Sequence, residues 1–196
     1  MTTSVWLDID SNRDVIANVR HALHCIELAK SDPYAWKWAF LALHAALQGA
    51  CVCHLTTTAT PIGVTNEKDT LVWLNYLEAS RTTPALKPPK TRIMAFPDLL
   101  RALRDGKAGN RPSGGNTFNL SDDEFSYLKR LHDEIRNQFI HFAPASWSID
   151  FSGVNTFASL TSRIISDIMD YGWAFRLMDP DEKTELRDSL IILARL

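Results

Sequence analysis

Three helix-start signals divide this chain before any other feature is weighed. Asp32-Pro33 and Asp179-Pro180 each set an acidic N-cap ahead of a proline at the first helical position. There the missing N–H costs nothing and φ is already helical. Ser121-Asp122-Asp123-Glu124 is a capping box, with a serine cap, acidic residues in the first turn and a glutamate at the third position. A sequence punctuated in this way, with apolar residues recurring every three to four positions between the signals, folds into packed helices.

The periodicity places the elements. Ser11 or Asn12 is expected to cap a first helix reaching about Lys30, with Val15, Val19 and Ile26 on its apolar face. The second carries Trp36, Phe40, Leu43, Leu47 and Ala50, and its small residues (Ala39, Ala42, Ala46, Gly49) permit close approach of a neighbour. A third is expected over about 66–79, its leucines bracketing Trp73 and Tyr76. The capping-box helix should reach about Phe142 and stop before Pro144. Trp147, Ile149 and Phe151 alternate as a short extended piece. A long helix follows from about Val154 to Phe175, with Phe157, Leu160, Ile164, Ile168 and Tyr171 inward, and a last one carries Leu186, Leu190, Leu193 and Leu196. The fold class is therefore all-α, a bundle of four to five long helices plus a short helix in a long loop.

That long loop is the exception to the helical pattern. Pro84, Pro88 and Pro89 interrupt regular structure, Pro97 opens a short amphipathic helix with Leu99, Leu100 and Leu103, and residues 106–116 are glycine-rich. Residues 81–118 read as an insertion folding loosely over one end of a single domain that spans 1–196. Between Arg81 and Arg111 eight basic residues face two acidic ones, a net +6, on a chain whose formal charge is −2. A uniformly basic nucleic-acid binder is excluded, but a local basic segment on an acidic body suits a polyanion. Lys87, Lys90, Arg104 and Arg111 are its candidate RNA contacts.

Other signals bound the setting. Residues 1–14 contain no basic region followed by an apolar run, so no secretory signal is expected. Tyr34 to Leu55, the most apolar stretch, is interrupted by Lys37, His44, Gln48 and His54 and reads as a core helix, not a membrane span. Three cysteines, two of them at positions 51 and 53, do not make a disulfide framework, and a cytoplasmic location fits.

The chemistry-bearing stretch is Asp133-Glu134-Ile135-Arg136-Asn137-Gln138-Phe139-Ile140-His141-Phe142. On a regular helix Phe125, Leu128, Leu131, Ile135, Phe139 and Phe142 form the core face. Arg136 and His141 then lie roughly 140° apart on the outward face, with Asn137 and Ile140 between them. Arginine forks onto phosphate oxygens, whereas histidine exchanges a proton near neutral pH. Cutting RNA through its own 2′-hydroxyl needs those two functions. Spacing alone does not establish them, since polar residues on an outward face are what any solvated helix shows.

Arg136-Asn137-Gln138-Phe139-Ile140-His141 resembles the Arg-x(4–6)-His motif of the HEPN superfamily, in which a polar residue, often asparagine, follows the arginine. The longer run through Asp150 is similar to a branch of bacterial HEPN-like proteins, and the likeness extends over about residues 121–175. The resemblance implies a homodimeric helical bundle with motif helices facing each other. In catalytic members it implies metal-independent endoribonuclease activity of the toxin or defence type, with no cofactor. On this chain His141 would move protons, Arg136 would bind the scissile phosphate, and Asn137 would orient the histidine or a phosphate oxygen. RNA and an antitoxin protein are the implied partners. The alternative is a non-catalytic HEPN-like module that binds a protein or nucleotide through the same cleft.

Other constellations carry less. His44, Cys51, Cys53 and His54 match no standard zinc spacing and read as core. His132-Asp133-Glu134 lacks the second histidine of a metalloprotease helix, and no phosphate-binding loop or nucleophile elbow is present. The six tryptophans fall at core spacing or in the short extended piece.

Overall fold

A computed structural model describes residue 6 and residues 9–56, 61–83, 85–106, 118–141, 148–172 and 174–196. All regular structure among them is helical: α1 (Ser11–Leu28), α2 (Ala35–Leu55), α3 (Glu67–Ser80), α4 (Phe96–Arg104), α5 (Asp122–Arg130), α6 (Asn137–His141), α7 (Val154–Tyr171) and α8 (Pro180–Leu193). A π-helical segment, Leu131–Arg136, joins α5 to α6, so residues 122–141 form one continuous rod. The all-α bundle is what the helix-start signals require.

Those signals act at the expected places, with small shifts. The cap of α1 is Asp10, one residue early, because its Oδ1 accepts from both Asn12 N (2.9 Å) and Arg13 N (3.1 Å). Asp32 accepts from Tyr34 N at 3.0 Å, but the next amides bond three residues back, so a tight turn precedes the α2 helix proper. The capping box at Ser121 closes in both directions: Glu124 N donates to Ser121 Oγ and Ser121 N to Glu124 Oε2. Asp179 caps α8.

Helix α2 is the centre of the bundle, packed by α1, α4, α7 and the π segment, while α8 closes the far side against α1 and α7. It is the one helix among the described residues long and apolar enough to cross a membrane, and here most of it is core. Its small residues set how near α1 can come. Ala39, Ala42, Ala46 and Ala50 are buried, and a Cβ on Gly49 would stand 3.1 Å from Val15 Cγ2.

The structure departs from the sequence reading in five respects. Helix α4 lies within the core, with Phe96, Leu99, Leu100 and Leu103 each no more than 1% exposed. That helix is therefore not part of a loose cover. Five apolar residues on a nine-residue amphipathic helix bury too much surface to be left in water. Helix α7 stops at Tyr171, which is 60% exposed, instead of reaching Phe175. A side chain at Gly172 would meet Ile168 O at 2.5 Å and His54 Nδ1 at 2.6 Å, and Phe175 adopts φ 63°. Leu196 is 44% exposed instead of continuing the inward row of α8. Of α3 only Trp73 is buried. The expected extended piece is irregular where described, its Phe151 stacking on Trp36, and Phe142, Pro144 and Trp147 lie outside the described residues.

Candidate functional site: an arginine–histidine groove

The rod that carries the motif is not a uniform α-helix. In the π segment the ladder widens by one residue, so Asn137 N donates to the carbonyl of His132, five positions back. Single π turns of this kind re-aim side chains and are frequent at functional sites. Leu128, Leu131 and Phe139 remain buried, whereas Phe125 and Ile135 are only partly covered.

Arg136 closes the π segment and Asn137 opens α6. Both are half-buried, and Arg136 Nη1 donates to Asn137 Oδ1 at 3.0 Å. In this chain the asparagine amide therefore holds the arginine, where the motif reading had it orienting the histidine or a phosphate oxygen. Arg136 and Ile140 form one side of a groove of about 720 Å³ whose remaining walls are α1 and α2. His141, the last residue of α6, is exposed and stands outside that lining. The structure thus puts Arg136 and Asn137 together and leaves His141 at the open end of the same rod.

The groove lining supplies His44, which the motif did not, and His132 pairs with it from outside the lining. His44, from the middle of α2, is 3% exposed and its Nε2 lies 2.9 Å from His132 Nδ1. One ring donates and the other accepts, so both can be neutral and the pair satisfied. Burial holds His44 down at about 3, and the neighbouring His132 and Arg136 push the same way. His132 is lowered by burial and then by Arg136; Asp133 opposes this, and Lys129 adds the smallest downward push. A second positive charge beside Arg136 is thereby resisted. Phe96 packs on both rings, with centroids 4.5 Å from His44 and 5.6 Å from His132, so α4 seals the back of the pair. His132 sits four residues before Arg136, which is a legible helical spacing. Its partner His44 is 88 residues away, and no local pattern connects the two.

The basic candidates separate. Lys87 and Lys90 are exposed. Arg104 is occupied: its Nη1 is 2.8 Å from Asp122 Oδ1, Asp105 lies within 3.8 Å, and its guanidinium rests 5.0 Å from the Phe125 ring. That geometry ties α4 to α5. Arg111 lies outside the described residues. The tryptophans also separate, for Trp38 is 53% and Trp6 85% exposed, against the expectation of core positions.

Cys51 and His54 are buried side chains of the core, and among the described residues no three His, Cys, Asp or Glu side chains converge on one point. Burial pushes the Cys51 thiol up to about 12, which keeps it protonated and a poor nucleophile. A second cavity of about 430 Å³, bounded by Phe40, Tyr127, Leu131, Glu134 and Phe157, also borders the π segment, so the rod runs between two hollows. Compared with family models, curated proteins and solved structures, the chain matches none, and any functional reading rests on its own residues.

Proposed function

We propose that this protein is a HEPN-type endoribonuclease of the toxin or defence kind. The observation that carries the reading is the guanidinium of Arg136, half-buried, braced by Asn137 and set in the wall of a groove. A braced, permanently charged fork is what a phosphodiester needs in order to be held in one orientation. His141 follows on the exposed end of the same rod, where a substrate hydroxyl can reach it.

The reaction uses no group beyond these. The 2′-oxygen bonds to phosphorus as the bond to the 5′-oxygen breaks, giving a 2′,3′-cyclic phosphate and a 5′-hydroxyl. One proton leaves the 2′-hydroxyl and one arrives at the departing oxygen. Histidine serves either transfer, and Arg136 offsets the charge that builds on the phosphoryl oxygens. Two copies of the rod, meeting about a two-fold axis across the exposed Ile140, bring both histidines and both arginines to one cleft.

The test is cleavage of mixed RNAs with and without EDTA. Wild type is expected to cut with chelator present, to leave cyclic phosphate ends and to spare DNA. His141→Ala and Arg136→Ala should each lose on the order of 10²–10⁴ in rate, with the double variant little worse than either. Uncut RNA, or full activity in His141→Ala, removes the enzyme reading. A non-catalytic module that binds a nucleotide or a protein then takes its place. That second reading has its own support, because His141 stands outside the groove that Arg136 lines.

A further inference from the structure

Trp38 presents a large indole to water from the helix that is otherwise the core of the bundle. It is 53% exposed on the groove rim, where Arg136 and Ile140 also lie. Lys37 Nζ lies outside the groove lining, 4.9 Å from the Trp38 ring centroid and 5.6 Å from that of Phe139. On the α1 side the lining is polar: Ser11, Asp14 and Asn18, with Gln48 contributed by α2. Asn18 Nδ2 donates to the Asp14 carbonyl at 2.8 Å and to its carboxylate at 3.1 Å, which fixes the amide in place. Asp14 is the single acidic residue of this lining among the described residues, and Asn18 occupies its carboxylate.

We propose that this groove is a subsite for one unpaired nucleotide of the RNA, its base stacked on Trp38 and its phosphate on Arg136. The chemistry of the walls divides as a nucleotide does. A flat aromatic face takes a base of any identity, and the Arg136 guanidinium takes the phosphate. Amide and hydroxyl groups take the base edge or the sugar. The volume, about 720 Å³, falls in the range of roughly 300–1,000 Å³ typical of small-molecule sites. A base inside a duplex shows only its edges, so stacking on Trp38 selects single strands and loops. The inference rests on the ribonuclease reading of Arg136 and adds its substrate class.

The experiment is equilibrium binding of a short single-stranded RNA carrying 2′-O-methyl groups, which cannot be cut, against a duplex of the same sequence. Wild type should prefer the single strand. Trp38→Ala should weaken that binding about ten-fold or more, while Trp38→Phe, which keeps an aromatic face, stays within about three-fold. Quenching of tryptophan fluorescence on binding should diminish in Trp38→Phe. Equal affinity in Trp38→Ala, or a wild-type preference for duplex, overturns the subsite. So does an affinity loss that only follows a shift from dimer to monomer in light scattering, which would assign Trp38 to a contact between copies. The two proposals fail separately. Cleavage by wild type with Trp38→Ala unimpaired in binding removes the subsite alone. Stacking-dependent binding with no cleavage removes the enzyme alone.

Discussion

His44 is the residue whose chemistry depends most on its surroundings. In an unfolded chain it titrates near 6.5, and in the fold it is held at about 3, while His54 is held at about 4. The unfolded chain therefore takes up these protons first as pH falls. Their contribution to stability is complete above about 6.5 and is lost progressively as pH drops toward 3–4. One such histidine gives a slope approaching ~1.4 kcal/mol per pH unit. Urea unfolding between pH 7 and 4.5 should show the decline, and His44→Leu, which keeps apolar bulk against Phe96, should flatten it. An unchanged slope in that variant would mean that His44 is not held neutral by the fold. Arg136 gains from this arrangement, since a neutral imidazole pair behind it leaves its charge available to a phosphate.

Among the elements, α4 and the irregular stretch before it behave oppositely although both belong to one basic segment. Leu100 is fully buried, so Leu100→Ala is expected to cost about 2–5 kcal/mol in chemical denaturation. A loss under about 1 kcal/mol would return α4 to the status of a loose cover. Lys87 and Lys90 are exposed, whereas Arg104 binds Asp122 and rests on Phe125. Lys87→Glu with Lys90→Glu should weaken RNA binding and flatten its salt dependence without altering the melting curve. Arg104→Ala should instead lower stability by no more than about 1 kcal/mol, because Asp122 is almost fully exposed and a surface ion pair with one ring contact is worth little more. If Arg104→Ala alone alters the salt slope, the division is wrong.

At the scale of the whole molecule, Ile140 bears on assembly. Ile140 is 46% exposed beside Arg136 on the outward side of its rod, and an apolar residue in that position suits contact with a second copy. Light scattering at micromolar concentration should give a dimer for wild type and a monomer for Ile140→Asp, with cleavage lost in step. The substitution is at the surface, so the melting curve of the monomer should differ little from that of the wild-type chain at low concentration. A wild-type monomer that still cuts RNA would show that one Arg136 and one His141 are enough.

Helix existence and type were legible in the sequence because they are decided locally. Asp32-Pro33, Ser121 with Glu124, and Asp179-Pro180 act on amides within a few residues, and the three-to-four spacing of Val15 and Val19, Leu43 and Leu47, Leu128 and Leu131, and Leu186 and Leu190 names the buried faces. Arg136, Asn137 and His141 were visible for the same reason, as neighbours on one helix. Three features were not local. The π turn at Leu131–Arg136 breaks the assumed 100° step, and nothing in its composition announces it. At the end of α7, Gly172 leaves room for His54, which comes from another helix. His44, in the groove lining, is hydrogen-bonded to His132 behind it, and Phe96, from a segment that reads as an insertion, packs on both rings. Local signals fix which residues form helices and which faces are apolar. Only packing decides which polar side chains meet once those faces have closed, because that pairing is a property of the space between elements and not of any one of them.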